Sequence, residues 1–248
     1  MEEYAYITPI LASLFYLFAA IRLLGLYRRT RERPELLLAI SFALSGVYYF
    51  SYNAPSLFRL DPWPATIEWL VEWIYILSVF PFVFFIRTVF RPSGAWAGAL
   101  VVNLSVFLIV GTAMGGIDGH VVYSLNNPWF LVQWVGYTAP GVWLCCEATF
   151  SRLGAKKRAR LGLSEPIVVN RYLLLAILGG LQTLACLSDL SFARDISTDH
   201  AVSTVSNLLL GGTEIASVMV LWVAFFPPSF YANWIAQRAA NVPAPTGG

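Results

Sequence analysis

Apolar residues recur in long runs along almost the whole chain, separated by short polar stretches. A membrane-crossing helix needs roughly 20 mostly apolar residues. Seven segments meet that length, at about residues 5–27, 35–53, 66–87, 95–115, 128–150, 169–192 and 202–226. The second is the least apolar, because "SFALSGVYYFSYN" carries hydroxyls and tyrosines, yet its length and flanks fit. The pattern predicts an all-α integral membrane protein, a seven-transmembrane helix bundle. After the last run, Pro228 is suited to begin a short helix over 228–240. Phe230, Tyr231, Trp234 and Ile235 are expected on one face of it, as in a helix lying in the membrane interface. The remaining residues, 241–248, are expected to be disordered.

Polar residues within the runs indicate which faces point inward, since an ionisable side chain at mid-membrane costs roughly 2.5–3.5 kcal/mol on insertion scales. Helical spacing places Glu68, Glu72, Tyr75 and Val79 on one stripe of the third segment. It places Ser41, Ser45, Tyr48 and Tyr52 together on the second, and Gln182, Cys186 and Asp189 on the sixth. The longest stripe is in the seventh: Ser203, Asn207, Gly211, Glu214 and Ser217. Glu214 follows two glycines in "NLLLGGTEIASVMVLWVAFF", about a dozen residues from either end of its segment, so exposure at a helix end does not account for it.

Charge adds orientation. Thirteen of the sixteen Lys and Arg residues fall in the loops after the first, third and fifth segments or in the tail. Arg59 and Arg194 lie on the other side and Arg22 within the first segment. Cytoplasmic loops hold the basic excess, which predicts the N-terminus outside and the C-terminus in the cytoplasm of a plasma membrane. Glu68, Glu72, Tyr48, Tyr52, Gln133, Tyr137 and Asp189 then occupy the outer half, with Glu214 and Gln182 near the midplane. Together with Asn207, Ser203 and Ser217 they form the expected ligand- or proton-binding set, an acidic cavity opening outward. Arg22 and Glu147 share a depth in the inner half and are expected either to pair or to leave Glu147 at the interface.

Composition narrows the classes. Only 12% of the residues are charged, 58% are hydrophobic and the mean hydropathy is +0.65, against roughly 25% charged in soluble domains. The acidic start "MEEYAYITPI" lacks the features of a cleaved signal peptide. Cys145, Cys146 and Cys186 all fall in apolar segments, where they are expected as small buried hydrophobes. Gly179-Gly180 and Gly211-Gly212 are expected to let helices approach closely, and Pro81 and Pro140 to kink theirs. The basic 151–171 loop is expected to meet anionic lipid or a cytoplasmic partner.

Chemistry-bearing motifs are sparse. Both lysines, Lys156 and Lys157, lie in that loop, which excludes a retinal Schiff base in the last helix. His120 and His200 lie in loops, which excludes in-membrane bis-histidine haem. Asp118 with His120, and Asp195 and Asp199 with His200, are the residues an outer metal site would use. Loop residues of these types are ordinarily solvated, so neither metal nor cofactor is expected, and no nucleic-acid partner. No HExxH, GxSxG, Walker or dinucleotide glycine pattern occurs.

The segment "FFPPSFYANWIAQRA", with the span count, resembles the exit from the seven-helix membrane input module at the front of some bacterial sensor proteins. That resemblance implies sensing, with signalling through a separate partner because no output domain follows. The leading expectation is therefore a non-enzymatic sensor-like or accessory module. The alternatives are a small-solute or proton-coupled transporter using Glu214, and an intramembrane lipid-modifying enzyme or assembly factor using Glu72 and Glu214 as acid and base.

Overall fold

A computed structural model of the chain describes residues 7–58, 60, 63–117, 125–161, 163, 165–197 and 204–240, with the side chains of 204–208 among those outside the description. Its helices are α1 (Ile7–Thr30), α2 (Arg33–Phe58), α3 (Ala65–Phe90), α4 (Ala95–Ile117), α5 (Pro128–Arg160), α6 (Pro166–Ser197), α7 (Thr204–Phe225) and α8 (Ser229–Ala240). Among the described residues there is no strand. Five helical stretches, in α1, α2, α3, α4 and α6, are long and apolar enough to cross a membrane. The number is six if Gly211–Phe225 and Ser229–Ile235, bent by 69°, form one span. This is the composition of a multi-pass membrane protein. Among the described residues this is fewer than the seven expected spans, partly because α5 mixes Gln133, Tyr137, Pro140 and three tryptophans into its apolar run.

Consecutive helices pack side by side from α1 to α7, and α7 packs back on α1, closing a ring; α3 also touches α5 and α8 rests on α6. The outward faces are apolar, with Ile21, Val102, Phe150 and Met219 all more than half exposed, whereas Ser13, Ser41, Glu72, Gln133, Glu147 and Glu214 are buried. A lipid-facing protein gains little from burying one apolar surface against another, so close backbone packing and interior hydrogen bonds hold its helices together. Two contacts show the first device. A Cβ on Gly179 of α6 would lie 2.5 Å from the Cys145 nitrogen and 2.7 Å from the Gly141 carbonyl of α5. A Cβ on Gly46 of α2 would lie 2.8 Å from Leu17 of α1, where Ser13 donates to the Gly46 carbonyl at 2.8 Å. Gly179 thus brings α6 to α5 rather than to α7, and Gly180 and Gly212 face open space.

Three internal prolines remove backbone donors, and side chains from elsewhere reach carbonyls in those turns. Pro55 cannot donate to Ser51, and the Trp63 indole does so instead at 2.9 Å. Ser41 donates to the Ser78 carbonyl beside Pro81 at 2.8 Å. Cys186 approaches the Tyr137 carbonyl beside Pro140 at 3.9 Å.

Two segments differ from expectation. The basic stretch after residue 150 is not a loop: α5 begins on an Asn127 cap with Pro128 in its first turn and runs to Arg160. Its Ala, Lys, Arg and Leu residues are good helix formers and nothing breaks the run. At 33 residues, and 1.5 Å per residue, α5 is about 50 Å long, well beyond the roughly 30 Å hydrocarbon core. In α8 the four aromatic and aliphatic residues divide between adjacent stripes. Tyr231 accepts from Asn170 of α6 at 2.9 Å and Ile235 is buried, while Phe230 and Trp234 are exposed.

Candidate functional site

Glu214 sits near the middle of α7 and is buried. Its carboxyl accepts from the Tyr16 hydroxyl of α1 and, at 2.7 Å, from the Tyr49 hydroxyl of α2. One side chain therefore joins three helices. The phenols are held by their rings: Tyr16 stacks between Phe42 at 5.4 Å and Tyr49 at 5.6 Å. Gln182 of α6 lines the same cavity as Tyr16 and Glu214.

The cavity beside Glu214 is walled by six of the seven ring helices, with α4 outside it. Its space open to water-molecule centres is about 40 Å³. One water needs roughly 10–15 Å³ on that measure, so about three fit. Ser41, Ser45 and Ser78 line its floor as a chain of donors: Ser45 to the Ser78 hydroxyl at 3.1 Å, Ser78 to the Tyr75 carbonyl at 2.6 Å, and Ser41 to the Ser78 carbonyl. Tyr75 and Tyr137 stand in the wall, 5.6 Å apart edge to face, and the buried Tyr137 hydroxyl has no hydrogen-bond partner among the described residues.

The other expected site residues group differently. Glu72 accepts from Gln133 at 2.7 Å, both buried, in a layer one to two turns from the cavity along α3 and α5. Tyr48 is buried among Tyr49, Tyr52 and Tyr75 rather than in the cavity wall. Asp189 is half-buried on α6 and is not among the residues that line the Glu214 cavity. Glu68 and Tyr52 are exposed. Ser217 is buried, but its hydroxyl donates to Thr213 of its own helix at 2.7 Å. Ser203 lies outside the described residues, as does the side chain of Asn207. Of the residues a metal site would need, Asp118, His120, Asp199 and His200 lie outside them too, and Asp195 lies at the end of α6 with its side chain outside the description. Glu72 is not among the residues that line the Glu214 cavity.

Tyr16, Tyr49 and Ser78 were not among the expected site residues. The signals for them are in the sequence: Ser41 and Ser45 step by four to Tyr49 rather than to Tyr48. Tyr16 lies on the small-residue face Ala12, Ala19 and Ala20, all buried.

A second polar cluster lies at the Arg-rich end. Arg91, just after α3, pairs with Glu147 of α5 at 2.8 Å and lies over the Trp96 ring, 5.6 Å from its centre. Trp143 adds a long contact to the same carboxyl oxygen at 3.4 Å. The hydrogen bond and charge of Glu147 push the Arg91 guanidinium further above its already basic range. Arg22 does not reach Glu147; it lies over Trp222 and Phe226 of α7 and its end, at 5.5 and 5.3 Å. Arg171 donates to the Ala224 carbonyl at 3.1 Å, capping α7 before Pro227 and Pro228 end it.

No protein-family model matches the chain, and neither a curated protein nor a solved structure does.

Proposed function

We propose that this chain is a non-enzymatic, sensor-like protein of a bacterial plasma membrane that binds a ligand at Glu214 and passes its occupancy to a cytoplasmic partner. In this reading α1 to α7 all cross the bilayer, with the N-terminus outside and the basic ends of the helices inside, as the Lys and Arg distribution implies. The observation that carries it is the Glu214 carboxyl, held by Tyr16 and Tyr49 in a polar cavity. A ligand that engages that carboxyl competes with one or both phenols, so it changes how α1, α2 and α7 are tied together. A ligand shifts a conformational balance only through such differential contacts. The basic extension of α5, with Lys156, Lys157 and Arg158 exposed, supplies the surface for the partner. On the outer side Glu68, Glu72, Tyr52 and Asp189 form an acidic approach to the cavity.

Proton-coupled transport with Glu214 as coupling group is the second reading. It is favoured by the size of the cavity, which suits protons and very small solutes.

Mass spectrometry of material purified from native membranes tests the two. Sensing predicts a co-purifying protein that is lost when Lys156 to Arg160 are deleted with the bundle still folded, and whose recovery changes in Glu214→Gln. Pull-down unaffected by both changes, with uptake into cells lost in Glu214→Gln, overturns sensing in favour of transport.

A further inference from the structure

We infer that the Glu214 cavity binds a small monovalent cation. The inference rests on the reading above, that the cavity is a ligand site, and names the ligand's chemistry. The first ground is the lining. It contains one carboxyl, four hydroxyl-bearing phenols, two phenylalanine rings, three serines and one carboxamide, and no Lys, Arg or His. A carboxylate out of water needs a counter-charge or a proton, and among the described residues no cation of the protein lines the cavity.

The second ground is the direction of the hydrogen bonds. Tyr16 and Tyr49 spend their protons on Glu214. Ser41, Ser45 and Ser78 spend theirs on the Ser78 carbonyl, the Ser78 hydroxyl and the Tyr75 carbonyl. A hydroxyl has one proton and two lone pairs, so these groups turn oxygen lone pairs, not protons, toward the remaining space. The protons left for an anion or a carbonyl-bearing ligand are those of Tyr75, Tyr137 and Gln182, whereas a cation finds oxygens of most of the lining groups to replace its water. The aromatic rings add attraction for positive charge at their faces. Size sets the upper limit: space for about three waters admits sodium, potassium, ammonium or methylammonium and leaves out choline. The acidic layer of Glu72 and Asp189 lies between this cavity and the end of the bundle where the second and third helices meet, and favours entry of positive charge.

The test uses the full chain in lipid nanodiscs, with thermal unfolding followed by intrinsic fluorescence. Sodium, potassium, ammonium or methylammonium chloride replaces choline chloride at constant ionic strength. A ligand that binds the folded state raises the melting temperature in proportion to occupancy. The inference expects a saturable rise with at least one small cation. The apparent affinity should weaken by about tenfold or more in Glu214→Gln, and be retained in Glu68→Gln, which alters an exposed carboxyl. Which salt acts separates alkali ions from ammonium-type ligands. If Glu214→Gln does not fold, Ser45→Ala and Tyr137→Phe, which leave the Tyr16–Glu214–Tyr49 clamp intact, should each weaken the response. No rise with any of the four salts overturns the inference, as does a rise that persists unchanged in Glu214→Gln. A co-purifying partner that still depends on Glu214 in that case shows that the cation fails while the sensing reading stands.

Discussion

At the centre of the bundle two phenol protons meet one carboxyl, and the strength of that meeting comes from what surrounds it. Hydrogen bonds to charged groups contribute about 1.5–3 kcal/mol each, more than neutral ones, and stacked rings hold both phenols before the bond forms. Tyr16→Phe and Tyr49→Phe are each expected to lower stability by about 1–3 kcal/mol. The double variant should fall short of the sum, because both bonds end on one group. Chemical unfolding in detergent measures this; strictly additive losses would show that the two phenols do not share Glu214. At this scale the sequence showed the carboxyl but not its partners. Glu214 stands out because a charge interrupts an apolar run. Tyr16 and Tyr49 do not, since a tyrosine is as ordinary in a membrane helix wall as in a binding site. Only the four-residue step from Ser45 to Tyr49 separates the tyrosine that reaches the cavity from Tyr48, buried beside it, and the exposed Tyr52.

Helix pairing is set by backbone approach, and the two adjacent glycines of α6 have opposite roles. Gly179 faces α5 with its would-be Cβ 2.5 Å from backbone, whereas nothing lies within 4 Å of Gly180. Gly179→Ala should destabilise the protein by about 1–3 kcal/mol through overpacking. Gly180→Ala should be neutral or stabilise by up to about 1 kcal/mol through helix propensity. Thermal unfolding of the pair checks this, and equal effects would contradict the α5–α6 contact. Helix positions were legible from apolar runs because length and hydropathy are local properties. The partner of Gly179 was not, since a glycine pair does not say which neighbour approaches it. The helical continuation of α5 to Arg160 is hidden for another reason: charge marks where an apolar run leaves the membrane but not where the helix stops, and Ala, Lys, Arg and Leu sustain a helix in water as well as in lipid.

The whole molecule is a ring of seven helices with apolar residues exposed outside and, within, a largely apolar core that holds a few buried polar groups. The closure of α7 on α1 is a tertiary fact that no local pattern encodes, and it is what brings Glu214 to Tyr16. The Arg-rich ends of the helices gather at one end of this ring, including the Arg91–Glu147 pair. The proposed orientation predicts that, in a chain lacking Cys145, Cys146 and Cys186, a cysteine at Glu68 reacts with a membrane-impermeant thiol reagent on intact cells. A cysteine at Lys156 should react only after lysis; the opposite pattern would invert the topology. The central claim, that Glu214 is where the ligand is held, is tested most directly by difference infrared spectroscopy of the carboxyl-stretching region. Spectra of the nanodisc protein are recorded with choline chloride exchanged for sodium, potassium or ammonium chloride. A difference band present in the wild type, altered in Tyr49→Phe and absent in Glu214→Gln is the expected result. The same band in Glu214→Gln, or no band in the wild type, would contradict it.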